Sequence, residues 1–573
     1  MVSNPVTSRS ISRSALLIRV LIGVLAGACG TPAAPPEAPS AARVDYVLIG
    51  GDVRTMDPQR PRATAVAIGG GRVIAVGSDA EVLAVAGPRT EKVELRGATV
   101  TPGLIDAHCH LYGLGANLEA VSVRALPSEA ETVKVVAAAA TRRPPTEWLI
   151  GRGWDQNRWP GQAFPTKASL DAAISDRPVL LRRVDGHAIW INSKALAAAG
   201  ITKATPDPAG GKIVRDARGE PTGVMVDNAV DLVDAKVPAA SAEVRRRRIL
   251  DGQKIALAAG ITAVHEMGID AQTVAVYEEM AKQNALGLRV FAYFAGDASN
   301  PASLDFLRAR KPGSTGRFHL RGVKFFADGA LGSRGARLYA KYLDEDQVGL
   351  WVTDPQVLAA GVEVAVAHGW QVAIHAIGDA AVGVTLDAYL AASQKHRGDR
   401  RLRVEHTQLI APHDVAKMIQ AKAIASMQPT HATSDMPWAE QRVGPERILG
   451  AYAWRTMLDK GIPLAAGSDF PGEEVAPLLG IYAAVTRQDA NGKPEGGWYP
   501  AQKLTLDEAI AAFTRGAAYA EYREETHGTI EVGKPANLTV FDRALAADRS
   551  LLETQVDLTI VDGAVAFRRQ AAK

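Results

Sequence analysis

The five residues Asp106-Ala107-His108-Cys109-His110 are the first place in this sequence where chemistry is legible. In extended backbone, residues i and i+2 point the same way. His108 and His110 can therefore hold one cation from one side, with Cys109 facing elsewhere. Alone, the pair reads equally well as two surface or core histidines. Later positions change that weighting. Lys324 lies inside the apolar run Val323-Lys324-Phe325-Phe326, His375 and His406 each close an apolar stretch, and Asp469 follows Gly467-Ser468. Imidazole together with carboxylate suits Zn²⁺ or a similar divalent ion.

Such scattered groups need a scaffold that brings them together. Short apolar runs read as strands at 101–107, 261–265, 288–294, 322–326, 371–375, 402–406, 423–427 and 463–467, with helical patterns between the later ones at 355–367 and 412–422. Eight strands alternating with helices predict an α/β fold, a (β/α)8 TIM barrel, and the groups above then fall at strand ends on its C-terminal face. Short strands with glycine turns occupy both ends of the chain. They predict a composite β-sandwich domain from residues 44–100 and 528–573, flanking a barrel over 101–527. The first two barrel strands are too far apart for a simple crossover, so an insertion is expected at about 111–259. It carries Trp148, Trp154 and Trp159 and ends in a helix at 243–259, on which Arg245 to Arg248 read as a solvated face.

The 573 residues are too many for one compact unit, and 47% apolar with 22% charged residues is ordinary for a globular protein. Residues 1–28 contain Arg9, Arg13 and Arg19, no acidic residue and a short apolar stretch, the pattern of a signal peptide. Leu25-Ala26-Gly27-Ala28-Cys29 loosely matches a lipobox. Exported lipoprotein status with a lipid anchor at Cys29, followed by a Pro/Ala linker at 29–43, is therefore expected. Ordinary signal cleavage near Ala28 is the alternative. Without residues 1–28 the chain has 62 basic and 62 acidic residues, which gives no case for nucleic acid as a partner. The expected partner is a small-molecule substrate, with a homo-oligomer left open.

The run Thr101-Pro102-Gly103-Leu104-Ile105-Asp106-Ala107-His108-Cys109-His110 resembles the first-strand signature of the amidohydrolase superfamily. Four further runs resemble its family 3 branch, which includes N-substituted formamide deformylases. They are Gly322-Val323-Lys324-Phe325-Phe326-Ala327-Asp328-Gly329-Ala330, Ile374-His375-Ala376-Ile377-Gly378-Asp379, Ser426-Met427-Gln428-Pro429-Thr430-His431 and Gly467-Ser468-Asp469-Phe470-Pro471. The likeness spans roughly residues 44–573. It implies that His108, His110 and Asp469 bind one metal and His375 and His406 a second, with Lys324 bridging them as a CO2-derived carbamate. An amine or ion-paired Lys324, and a single metal, stay open.

The resemblance further implies hydrolysis of a small-molecule amide at a carbon–nitrogen bond other than a peptide bond. Asp469 is then the general base, and His431 is either a carbonyl hydrogen-bond donor or a structural residue. On the substrate side, Trp154, Asp185, His187, His265 and Asp328 are candidates; a plain core role for Trp154 and a supporting hydrogen bond for His265 are the stronger single readings. A lactonase or deaminase on the same centre is the alternative. A non-catalytic cell-surface binding lipoprotein is a third reading, opposed by the complete ligand set.

Overall fold

The computed structural model describes residues 43–570. The signal segment, Cys29 and all of the linker but its final residue lie outside the described residues.

Eight parallel strands follow one another round a single sheet in sequence order: Leu104–Cys109, Ile261–Ile269, Arg289–Ala295, Phe318–Phe326, Gln371–Ala376, Arg403–His406, Ile424–Met427 and Leu464–Ala466. The barrel is nearly closed. Its first and eighth strands face each other without a ladder, and other bonds close that seam. Helices such as Ala271–Lys282, Pro355–Ala367 and Asp379–Lys395 return the chain between strands. Two of these start where side chains satisfy free amides: Asp270 accepts from the amide of Thr273, and Asp354 accepts from those of Gln356 and Val357.

Two smaller sheets share one apolar core that includes Leu48, Val66, Val100, Leu538 and Ile560. One runs Arg72–Gly77, Ala65–Gly69, Tyr46–Ile49, Glu91–Glu94. The other runs Ala564–Arg568, Val556–Val561, Leu538–Phe541, Thr99–Pro102, Asp52–Arg54, Arg62–Ala63. Both chain ends thus enter the same layers. Thr101 and Pro102, expected in the first barrel strand, belong to this second sheet. They pair with Leu538 and Thr539, and the barrel strand begins only at Leu104.

A six-stranded sheet of its own fills the insertion, from Val121–Ser122 to Pro221–Asp227. It is narrower than 111–259. Helix Leu111–Glu119 packs against helix Ala242–Ala258, so closely that a Cβ on Gly115 would lie 1.9 Å from the Arg248 carbonyl oxygen. The arginine run on the second helix is a solvated face only in part: Arg247 is exposed, and Arg246 and Arg248 are half-buried. Arg245 is buried and donates to Asp270, Thr273 and Gln272, while Arg247 and Arg248 both pair with Glu119.

Candidate metal centre and its cavity

The end of the first strand meets those of the sixth and eighth. His108 is fully buried, and burial pushes its imidazole down to about 4, so the ring is neutral. Its contact with Glu405 (Nδ1 to Oε2, 2.5 Å) is therefore a hydrogen bond donated to a carboxylate rather than an ion pair. The lone pair is left on Nε2, which has no partner and lies 3.6 Å from Asp469 Oδ1. His406 Nδ1 donates to Gln428 Oε1 (2.7 Å), so this ring too keeps Nε2 free, and His110, whose Nδ1 donates to the Met267 carbonyl (2.8 Å), turns Nε2 toward Asp469. His110 Nε2 is 3.2 Å from Asp469 Oδ1. Ligand atoms of His108, His406 and Asp469 all fall within 4.8 Å of one another. Neutral, oriented imidazoles and a carboxylate around one point, with an orphaned buried nitrogen among them, fit a divalent cation.

Local backbone strain places two of these groups. His406 (φ 71°) and Asp469 (φ 60°) both adopt the left-handed region, which costs a non-glycine residue about 1 kcal/mol or more. Asp469 is held there by its amide, which donates to the His108 carbonyl (2.7 Å). Asp106 adds a brace across the seam. Its carboxylate accepts from Ser468 Oγ (2.5 Å), Ser468 N (3.1 Å) and His108 N (3.2 Å). Burial alone would raise the Asp469 carboxyl. The hydrogen bond from His110 and the nearby histidines instead hold it well below the usual carboxylate range.

Lys324 is buried at the fourth strand, and desolvation lowers its amine to about 8. It makes no ion pair with Asp328. That carboxylate is taken up by the amides of Arg337, Ile377 and Gly378 (2.8 to 3.0 Å), and it organises the loops after the fourth and fifth strands. Imidazole rings form a belt above Lys324. Ring centres lie 4.7 Å apart for His108 and His406, 4.6 Å for His406 and His375, and 4.7 Å for His375 and His187. His431 joins from the helix after the seventh strand, 5.8 Å from His406 and with Nε2 3.7 Å from Asp469 Oδ2. With His110, six of the chain's 12 histidines converge here.

A cavity of about 150 Å³ opens above them. Of the five substrate-side candidates, Asp185 and His187 line it and three do not. Trp154 belongs to the insertion's core beside Trp159 and Trp190, its Nε1 donating to the Leu181 carbonyl (2.7 Å). His265 lies below the site, accepting from Arg403 (2.7 Å). Asp328 is committed to backbone amides, as above. His187 is delivered by the turn between two insertion strands and steered by Asp227, which accepts from its Nδ1 (2.8 Å). Arg183, Asp435 and Trp438 also line the cavity. Arg183 is neutralised by Asp155 and Asp185. Burial pushes the Asp435 carboxyl up to about 7, and Gln408 and Tyr452 both donate to its Oδ2.

Glu405, Arg403, Asp227 and Asp435 were not among the residues expected from the sequence. A signal existed for the first two: Arg403-Val404-Glu405-His406 puts three polar residues in a four-residue strand whose every position is buried. Nothing local marks Asp227 or Asp435, because their partners come from other segments.

Comparison with known proteins agrees with this geometry. The sequence profile of the amidohydrolase family (Amidohydro_3) matches residues 91–567. A Bacillus subtilis (strain 168) protein named as amidohydrolase YtcJ is 33% identical over 91% of this chain and 99% of its own. The N-substituted formamide deformylase of Arthrobacter pascens is 30% identical over 92% of this chain and 98% of its own. Among solved structures, an uncharacterized metal-dependent hydrolase from Pyrococcus furiosus superposes with a TM-score of 0.67 at 28% identity, covering 87% of this chain and 99% of that one.

Proposed function

Because the chain belongs to amidohydrolase family 3, and is thus a hydrolase of carbon–nitrogen bonds other than peptide bonds, we propose that it cleaves a small-molecule amide, with N-substituted formamides the first substrates to try. The convergence of His108, His406 and Asp469 around the orphaned Nε2 of His108 carries the proposal. The formamide choice rests on the likeness to the Arthrobacter pascens enzyme. Size supports it: engineered cavities of about 150 Å³ take a ligand like benzene, and the space above the histidines is of that volume.

His108, His110, His406 and Asp469 would hold a divalent ion, zinc by donor type. His375 and Lys324 stand ready for a second. A lysine amine lowered to about 8 is partly neutral near pH 7 and can add CO2, releasing a proton and forming a carbamate. A divalent ion held by these residues would supply a Lewis acid that activates water for attack. Asp469, ionised and beside three imidazoles, accepts the proton of the attacking water and returns it to the leaving nitrogen. His431, facing Asp469 across the cavity, hydrogen-bonds the substrate carbonyl oxygen and stabilises its developing charge. The turn between insertion strands that carries Asp185 and His187 shapes the opposite wall.

The test is a screen of N-formyl and N-acyl amines, lactones and cyclic ureas against purified protein of measured metal content. Amide cleavage that chelators abolish, and that falls by about 10²-fold or more in Asp469→Asn, is expected. Protein without bound divalent metal, or Asp469→Asn as active as the parent, refutes the proposal. Turnover of lactones but no amide would move the assignment to the ester-cleaving alternative.

A further inference from the structure

The interior of the barrel beneath His108 holds an ion network that metal binding as described leaves unused. Arg403 is fully buried, yet every donor of its guanidinium is placed. Nε donates to Glu405 Oε1 (2.7 Å) and Nη2 to Glu405 Oε2 (3.1 Å), a two-point fork. Nη1 donates to His265 Nδ1 (2.7 Å) and to the Tyr293 hydroxyl (2.8 Å). Nη2 also donates to the Ala107 carbonyl (2.6 Å) and Ser426 Oγ (2.8 Å). One side chain thereby ties the first, second, third, sixth and seventh strands together, and it grips the backbone immediately before His108. Tyr293 passes the chain on to Gln371 on the fifth strand (2.7 Å).

An isolated buried guanidinium or carboxylate is strongly unfavourable, and the pair persists because each satisfies the other. Its consequence falls on His108. With Arg403 occupying Oε1 and sharing Oε2, Glu405 is an ionised acceptor and cannot donate. His108 must therefore keep its proton on Nδ1, and Nε2 must face Asp469 as a lone pair. We propose that Arg403 and Glu405 are positioning residues that fix the His108 tautomer and orientation for metal binding, through a carboxylate–imidazole bond buried at the barrel's floor. The inference rests on the metal-binding reading above. It adds that the site's affinity is set from below, by two residues that touch neither metal nor substrate.

Glu405→Gln discriminates, because it keeps shape and removes the obligate acceptor. A glutamine amide can donate to His108 Nδ1, which moves the imidazole proton to Nε2 and blocks ligation. The experiment titrates Zn²⁺ into metal-stripped full-length protein against a competing chelator, with the melting temperature of the metal-free form measured alongside. Glu405→Gln leaves the buried Arg403 without its counter-charge and should lower the metal-free melting temperature; read at a temperature where both metal-free forms are folded, it should bind Zn²⁺ about 10- to 100-fold more weakly. Arg403→Lys, which keeps the charge and loses the fork, should fall between Glu405→Gln and the parent. Zn²⁺ affinity in Glu405→Gln equal to the parent's overturns the inference. Should that variant not fold, Glu405→Asp decides: it retains the acceptor charge but falls one methylene short, so weakened Zn²⁺ binding supports the proposal and unchanged binding refutes it. A parent protein that binds no Zn²⁺ defeats the metal reading itself, which is a distinguishable failure.

Discussion

Replacing Asp106 tests whether the open seam of the barrel places the catalytic carboxylate. The first and eighth strands share no ladder, and the seam is bridged by Asp106 to Ser468 and by the Asp469 amide to the His108 carbonyl. Asp106→Ala strips the acceptor from three buried donors: the Ser468 hydroxyl and the amides of Ser468 and His108. At about 1–3 kcal/mol for each donor left unsatisfied, the loss spans about 3 to 9 kcal/mol, and water entering the gap brings it towards the lower end. Asp106→Asn is the informative control. Burial already pushes the Asp106 carboxyl up to about 7, so a neutral side chain is not foreign there. The amide oxygen can serve both backbone amides, and the Ser468 hydroxyl can turn round to accept. Asn should therefore cost about 1 kcal/mol or less. Freed of its brace, Asp469 shifts relative to His108, and a displacement of about 1 Å at such a group costs about 10²-fold in rate. The assay pairs urea denaturation with kcat on any amide the protein cleaves. Alanine should lose both stability and rate, asparagine little of either. Alanine with the parent's kcat would mean the seam does not set Asp469. Asparagine as damaging as alanine would mean that charge matters rather than the count of acceptors.

Two further outcomes follow from burial. Trp154→Ala should destabilise by about 3–5 kcal/mol in chemical denaturation, whereas Trp154→Phe, losing mainly the bond to the Leu181 carbonyl, should cost about 1 kcal/mol with KM unchanged; a raised KM without a stability loss would return Trp154 to the substrate. His319 is buried, and desolvation, with Arg523, Arg289 and Arg321 nearby, pushes it down to about 3. A depressed histidine contributes stability that is present above its unfolded value near 6.5 and lost as pH falls towards 3. The slope of stability with pH in that window should be shallower in His319→Gln by up to about 1.4 kcal/mol per unit, read from urea midpoints, and identical slopes would exclude the contribution.

Much of this protein was written locally. Alternating and continuous apolar runs report the secondary structure directly, because strand and helix periodicities follow from backbone geometry alone. The eight barrel strands and the strands at both ends were legible for that reason. So was the convergence of His108, His110, Lys324, His375, His406 and Asp469 at one face, since strand ends of a parallel barrel lie on the same side. Their metal roles and the carbamate stay proposals. Three things depended on tertiary structure. Thr101 and Pro102 join the terminal sheet because their hydrogen-bond partner is Leu538–Phe541, more than four hundred residues away in sequence and invisible to any local pattern. Trp154 and Arg245 are buried because partners from other segments cover them, which composition cannot report. Arg403 and Glu405 acquire meaning only once five strands close round them, since a buried charge is tolerable where its partners converge and nowhere else. The order of residues alone sets which groups stand at the strand ends; the packing of the barrel decides which nitrogen His108 and His406 present, because that depends on what the other nitrogen touches.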